Sequence, residues 1–501
     1  MKEFILALDQ GTSSSRALLY DNSGKTISIA QQAIEMSHPK DGWVEQDPNE
    51  IWDSVLDTGR EAINSSGIDP KFIKGIGITN QRETTLVWNK KTGECVYNAI
   101  VWQDRRTVTT CIEMDSATLD GKALSEQIAD KTGLLIDPYF SSTKLHWILS
   151  EIVASDSSLD IDDLLFGTVD TYLIWKLTGG HSHATDVTNA SRTQLLNIST
   201  LEWDEDLLKY FDIPGFLLPK VLDSSAQYGY AEEKWFGAPI PITGVAGDQQ
   251  AALVGQCCFD SGMSKVTLGT GCFIMTNTGS EKSLPKDGLL TTIAYRINGQ
   301  TSYASEGSIF VAGQAVKWLR DQLGIIESVK DTEKAFVATK GDAGGVSVVP
   351  AFTGLGAPHW DPEARGLISG LTLDTSVEQI VVATLQSIAL QIADLVSLML
   401  KGGPVDQLRV DGGMAVNDPF CQFLADILGQ NVSRPIDKET TARGAALLAG
   451  LGSGVWKDLN EIRATWQAER IFTPDMEQSL RDSLVEEFAL SVERAKLRLK
   501  S

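Results

Sequence analysis

The sequence predicts an α/β protein of two or three domains. Strands alternate with helical runs in both halves of the chain. An apolar strand, a Gly-Thr turn and a second apolar strand occur near the N-terminus and again past the midpoint. The 501 residues also exceed the roughly 250–300 that one hydrophobic core sustains.

The first strand, Phe4 to Leu8, is apolar and ends at Asp9. Gln10-Gly11-Thr12-Ser13-Ser14-Ser15-Arg16 carries turn chemistry. Strands Ala17 to Tyr20 and Thr26 to Ala30 follow, joined by Asp21-Asn22-Ser23-Gly24, which makes an antiparallel meander. Asp47 caps a helix over Pro48 to Asn64, with Pro48 at its first position. Ile73 to Thr79 is a strand with closely packed glycines. Leu164 to Val169 is another, leading into the helical run Thr171 to Leu177.

The second strand-turn-strand unit is Lys265 to Leu268, Gly269-Thr270-Gly271 and Cys272 to Thr276. The recurrence predicts two domains of related fold, with the boundary near Ala252 to Asp260: an N-terminal domain over 1–252 and a C-terminal domain over 253–501. Beyond it lie the strand Val346 to Pro350, the long helix Val377 to Leu400, and the strand Leu408 to Val410 that ends in Asp411-Gly412-Gly413. In the tail, Asp475 to Leu499, residues Leu480, Leu484, Phe488 and Val492 repeat every fourth position, one face of a surface helix.

A formal net charge of -23 is the reverse of the basic footprint of nucleic-acid and anionic-membrane binders, so neither partner is expected. No secretory signal is expected, because Met1-Lys2-Glu3-Phe4 runs directly into the first strand. Ile380 to Leu400 is broken by Gln386, Gln391 and Asp394 and reads as a buried helix, not the roughly 18-residue apolar run of a membrane span. The six cysteines are irregularly spaced and read as free buried thiols. His181 and His183 have the alternatives of a metal pair and a loop tip after Gly179-Gly180; the glycines favour the loop.

No Gly-x-x-x-x-Gly-Lys-Ser/Thr occurs, no Gly-x-Gly-x-x-Gly follows the first strand, and no Gly-x-Ser-x-Gly elbow stands out. Phosphate binding therefore rests on other turns. Asp9 to Arg16 can form a nest of backbone N–H groups, with hydroxyls from Thr12, Ser13 and Ser14, a cationic fork from Arg16, and Asp9 placed for a water-bridged Mg²⁺. The plain alternative is a Ser-rich hairpin. Gly269-Thr270-Gly271 allows close backbone approach to an anion, or is an ordinary hairpin. The glycines of Asp411-Gly412-Gly413-Met414-Ala415-Val416-Asn417 can admit a flat base or ribose at a strand end. Asp248, delivered by an apolar strand before a helix, is a reactive acid or a helix N-cap. Arg82-Glu83 after the Ile73–Thr79 strand is a surface ion pair or a donor-acceptor pair for vicinal hydroxyls.

Taken in order, these blocks resemble the FGGY family of carbohydrate kinases, and within it the members that phosphorylate glycerol. The resemblance runs from Phe4 to about Leu451, through Asp9-Gln10-Gly11-Thr12, Gly77-Ile78-Thr79-Asn80-Gln81-Arg82-Glu83-Thr84-Thr85, Asn98-Ala99-Ile100-Val101-Trp102-Gln103 and Asp137-Pro138-Tyr139-Phe140-Ser141. It continues through Gly247-Asp248-Gln249-Gln250-Ala251-Ala252, Gly269-Thr270-Gly271-Cys272-Phe273, Pro350-Ala351-Phe352-Thr353-Gly354-Leu355-Gly356-Ala357-Pro358 and Arg409-Val410-Asp411-Gly412-Gly413. It implies two ribonuclease-H-like domains of the actin/hexokinase superfamily with ATP and substrate in the interdomain cleft. It implies glycerol contacts at Arg82, Glu83, Tyr139, Asp248 and Gln249, with Trp102 and Phe273 as an apolar wall. Asp248 would be the catalytic base. Nucleotide contacts are implied at Thr12, Ser13, Ser14, Arg16, Thr270, Gly313, Gly413 and Asn417, and Mg²⁺ near Asp9 and Asp248.

Lys317 stands where many such kinases have glutamine near the nucleotide, and is carried as a further contact. Ala231-Glu232-Glu233-Lys234-Trp235-Phe236-Gly237 lacks the glycine-rich, arginine-bearing loop through which some relatives bind an inhibitory sugar bisphosphate. It also has Lys234 where others carry a phosphorylatable histidine. The expectation is a cytoplasmic enzyme, homodimeric or homotetrameric, that transfers phosphate from ATP to glycerol. The rivals are a kinase of another polyol or sugar and a nucleotide-switch protein on the same superfold.

Overall fold

A computed structural model describes residues 3–282, 287–399 and 407–497. Leu400, and Arg498 and Leu499 of the expected tail, lie outside them. Thirteen strands join in one sheet. In chain order they are β1 (Phe4–Gln10), β2 (Ser14–Asp21), β3 (Thr26–Ala33), β4 (Ile73–Asn80), β5 (Ser225–Ala231), β6 (Ile240–Gly247) and β7 (Ser264–Leu268). They continue as β8 (Cys272–Gly279), β9 (Leu290–Ile297), β10 (Gln300–Ile309), β11 (Leu408–Asp411), β12 (Val432–Pro435) and β13 (Ala468–Phe472). Across the sheet they run β13-β12-β11-β7-β8-β10-β9-β5-β6-β4-β1-β2-β3.

That order contains the same five-strand unit twice. In β3-β2-β1-β4-β6 the first three strands pair antiparallel, and β1, β4 and β6 run parallel. In β10-β8-β7-β11-β12 the same pattern recurs. The two units meet through β5 and β9, which share a single register pair, Ser225 with Ile297. The short strand-turn-strand echo in the sequence is thus part of a whole repeated topology, as expected of this fold class.

Local chemistry sets the elements. The helix α1 (Pro48–Ser66) begins where Asp47 accepts the Asn49 N–H, and ends where Gly67 turns left-handed at φ 67°. β1 is buried along its whole length because helices cover both of its faces. The helix α2 (Val169–Leu177) starts two residues before the predicted Thr171, and the preceding strand stops at Gly167. Asp170 sits buried in the first turn and accepts from Thr168 and Thr185 hydroxyls. Val346–Pro350 proves to be a shorter strand, Ser347–Val349, paired with Leu367–Ser369 outside the main sheet.

Two helices occupy the centre: α3 (Asp248–Gly255) and, late in the chain, α5 (Thr440–Gly452), with the long helix α4 (Val377–Met399) between them in sequence. A Cβ on Gly444 would fall 1.8 Å from the Ala251 carbonyl oxygen, and one on Gly77 of β4 would fall 2.1 Å from that of Ala445. Only glycine lets these backbones touch. α5, from the second half of the chain, therefore lies directly on the sheet of the first half. α4 is apolar and long enough to span a membrane, yet most of it is buried inside the fold as a core helix. The tail helix α6 (Gln478–Lys496) buries Phe488 and Val492 and leaves Leu480 exposed.

The six cysteines are free thiols. His181 is exposed on the loop after Gly179-Gly180, and the His183 ring stacks edge-on to Trp88 with Nε2 on the Phe166 carbonyl.

Candidate active site

The C-terminal ends of two central strands and the interior of a third converge on one charged floor. β4 delivers Arg82 and Glu83, β6 delivers Asp248, and β10 delivers Glu306. Glu83 has φ 60°, rare for a side chain with a Cβ, and Thr84 N–H bonds back to the Arg82 carbonyl across it. Such a three-residue turn is strained, and strain of this kind concentrates at functional sites.

Arg82 is buried with a partner near each of its three side-chain nitrogens. Nη1 and Nη2 clamp the Glu306 carboxylate at 2.6 and 3.1 Å. Nη1 also meets Gln250 Oε1 at 3.2 Å, Nη2 meets the Tyr139 hydroxyl at 3.3 Å, and Nε faces Asp248 Oδ1 at 3.3 Å. Arg192 completes the cluster, donating to Glu83 at 2.6 Å and to Glu306 at 2.9 Å. Burial alone pushes the Glu306 carboxyl up, but Arg192 and Arg82 together pull it down to about 2. Burial holds Glu83 above the ordinary carboxylate range despite the same two arginines. Two buried cations and two buried anions thus balance, which is the condition for charge to survive inside a fold.

Asp248 is the first residue of α3; Gly247 occupies the cap position. The N-cap alternative is therefore replaced by a first-turn role: Oδ1 accepts the Gln249 backbone N–H at 2.7 Å. That leaves Oδ2 without a partner among the described residues, and the side chain is 32% exposed. Asp9, at the end of β1, is 7% exposed and receives no hydrogen bond among the described residues. Burial first, then the negative charges of Asp248 and Glu439, raise it to about 7 against the opposing pull of Arg16. A buried carboxylate with no donor, beside a second carboxylate, fits a cation.

Trp102, Tyr139 and Phe273 form the apolar side. Trp102 lies edge-on to Tyr139 at 5.5 Å and to Phe273 at 6.3 Å between centroids, and its Nε1 donates to Thr12 Oγ1 at 2.9 Å. This chain of contacts links the first turn, the aromatic wall and the second turn. The first turn is narrower than expected. The β1–β2 pairing continues to Gln10–Ser15, so Ser14 and Arg16 belong to a strand, and only Thr12 and Ser13 remain at the tip. Arg16 pairs with Glu439 at 2.9 Å, and Ser14 Oγ accepts from Gln31.

Gly269 and Thr270 are exposed at the second turn. The Thr270 carbonyl accepts the N–H groups of Ala312 and Gln314, and Gly313 N–H bonds to the Gly269 carbonyl at 3.0 Å. Gly412, at φ 87°, packs against Leu268, while Gly413 has open space where a Cβ would be. Gly313 and Gly413 therefore stand beside that turn. Lys317 is exposed one turn further along the Gly313–Asp321 helix. Asn417 differs from the expectation of a free contact. It is buried, accepts the Phe420 N–H as a helix cap, and donates to Thr332.

The sequence reading missed Arg192, Glu306, Gln250 and Lys265. Lys265 is fully buried on β7, with its ammonium on Gln249 Oε1 and, at 2.9 Å, on Thr267 Oγ1. For Glu306 and Lys265 a signal existed: each is the lone charged residue of a buried strand.

Residues 4–255 match the FGGY family of carbohydrate kinases, N-terminal domain, and residues 264–453 match the C-terminal domain of the same family. The chain is similar to the glycerol kinase of Marinomonas sp. (strain MWYL1), at 50% identity over 499 residues, covering 99% of this chain and 100% of that one. It is similar to glycerol kinase 2 of Thermotoga maritima, at 52% identity over 496 residues, covering 98% and 99%. Its structure resembles that of Plasmodium falciparum glycerol kinase with ADP, with a TM-score of 0.91 at 35% identity, covering 99% of each chain.

Proposed function

We propose that this chain, which belongs to the FGGY family of carbohydrate kinases, transfers the γ-phosphoryl group of ATP to a terminal hydroxyl of glycerol, giving sn-glycerol 3-phosphate. Identity of about half the residues along its full length to curated glycerol kinases supports the activity. The observation that carries the chemistry is the Asp248 carboxylate, one oxygen held by the Gln249 N–H and the other open, beside Arg82.

In this reading Arg82, Glu83, Tyr139, Asp248 and Gln249 bind the three hydroxyls, and Trp102 and Phe273 cover the carbons. The hydroxyl proton moves to Asp248 Oδ2. The freed oxygen pair bonds to the γ-phosphorus while the bond to the β,γ-bridging oxygen breaks, and ADP leaves. Polar groups matched to each hydroxyl reject analogues that lack one. Thr12, Ser13, Ser14, Arg16, Thr270, Gly313, Lys317, Gly413 and Asn417 line the nucleotide side. Asn417 acts there by fixing the backbone, since its amide is engaged. Mg²⁺ would be held by Asp9 and Asp248, largely through water, and supplies neutralisation of phosphate charge.

The two FGGY units divide at 1–252 and 253–501, glycerol lying mainly against the first and nucleotide against the second. The enzyme works in the cytoplasm as a homodimer or homotetramer.

The test is ADP release with purified protein across glycerol, xylulose, ribulose, erythritol and gluconate. Glycerol gives the highest kcat/KM. Equal or better use of another polyol overturns the substrate, and ATP binding without glycerol-stimulated turnover favours a nucleotide switch instead.

A further inference from the structure

Lys265 has no place in the roles assigned so far, yet it is among the largest fully buried side chains in the protein. A buried ammonium is costly unless its donors are matched, and burial holds its pKa below the usual lysine value. Two donors go to Gln249 Oε1 and Thr267 Oγ1.

An ammonium group donates and cannot accept. The side-chain carbonyl of Gln249 must therefore face Lys265, and its NH₂ must be the opposite end. That NH₂ has no acceptor among the described residues, although Gln249 is only 6% exposed. The same residue's backbone N–H holds Asp248 Oδ1. Gln249 thus fixes the base with its main chain and presents a side-chain donor in the same neighbourhood.

A hydroxyl placed between Gln249 and Asp248 has one proton to donate and lone pairs with which to accept. If Gln249 offers only N–H, the hydroxyl accepts from it and its own proton has one destination, Asp248. If the amide flips, its carbonyl competes for that proton. We propose that Lys265 is a positioning residue for the phosphoryl transfer, locking the Gln249 amide as a donor so that the substrate hydroxyl presents its proton to Asp248. This rests on the reading of Gln249 and Asp248 as substrate contacts.

Steady-state kinetics with glycerol on Lys265→Met, Gln249→Ala and the double variant test it, with ADP affinity as the measure of an intact fold. Lys265→Met lowers kcat/KM on the order of tenfold, the worth of one hydrogen bond, and ADP binding stays at the parent value. The double variant is no worse than Gln249→Ala alone, because Lys265 acts through that side chain. Lys265→Gln, which keeps N–H donors, recovers part of the loss; it also serves alone if Lys265→Met does not fold, and it too adds nothing once Gln249 is alanine. Two losses that multiply in the double variant overturn the proposal. So does a Lys265→Met enzyme with parental kcat/KM while Gln249→Ala is impaired. A Gln249→Ala enzyme with parental kinetics overturns the substrate-contact reading itself, and the role of Lys265 with it.

Discussion

The hairpins at Gly11–Ser14 and at Gly269–Gly271 leave equivalent strands of the two five-strand units, yet the residues behind them carry opposite charge. Asp9-Gln10-Gly11-Thr12 in the first matches Thr267-Leu268-Gly269-Thr270 in the second, and Lys265 falls where the first has Ala7. Each unit has one acid beside its turn, on different strands. Asp9 lies on β1 opposite Thr79, whereas Thr267 lies on β7 opposite Asp411 of the neighbouring strand. Asp411 accepts from Gln256 at 2.8 Å, while Asp9 has no donor among the described residues. One backbone device thus has two settings: an acid without a donor among the described residues in the first unit, and a partnered acid with a buried lysine in the second.

The largest test of that contrast is Asp248→Asn, on the acidic side. It lowers kcat by roughly 10²–10⁴-fold, the usual worth of a positioned base, with ADP affinity within a few-fold of the parent. Near-normal turnover removes Asp248 from the role.

Asp9→Asn tests whether the bare acid is tolerated for function. A carboxyl raised from 3.8 to about 7 by burial binds its proton more tightly folded than unfolded. Its contribution to stability is therefore present at low pH and lost as pH rises from about 4 to 7. Without Mg²⁺ or nucleotide, Asp9→Asn should exceed the parent at pH 8 by up to about 2–4 kcal/mol, a gap that closes toward pH 4 in denaturant melts. The variant loses turnover even as it gains stability. No pH-dependent gap means burial does not raise the Asp9 carboxyl as described.

Gly313→Ala probes the second turn. Its Cβ would sit 2.6 Å from the Gly269 carbonyl oxygen, so the turn must shift, at a cost of about 1–3 kcal/mol. KM for ATP should rise while KM for glycerol holds. The smallest effect belongs to Arg16→Met, which breaks a pair about a third exposed. Exposed pairs contribute roughly 0–1 kcal/mol, so thermal melts should barely move.

Much of this was legible in the sequence where chemistry is local. Asp47-Pro48 fixed a helix start, and the Gly-Thr turns fell where turn residues cluster. The Ser14–Arg16 misplacement shows the limit. Serines favour turns locally, but pairing with β1 on one side and β3 on the other kept them in a strand. Asp248 was found by its strand-end position. Arg192 was not, and the lone charge of Glu306 marked a buried position without its role, because their meaning comes from Arg82 and Glu83, each more than a hundred residues away in sequence. Asn417 was read for its glycine-rich company, whereas its amide serves a cap and Thr332.

The contact of α5 with Gly77 also bears on how the chain is made. The sheet of the first half is complete in sequence at Gly247, but the helix that covers it ends at Gly452. On a ribosome adding ~5–20 residues per second, that surface waits ~10–40 s for its cover. A fragment ending before Thr440 should stay aggregation-prone however well its strands pair. Nascent chains of this protein are therefore expected to depend on chaperone shelter until nearly the whole polypeptide has emerged.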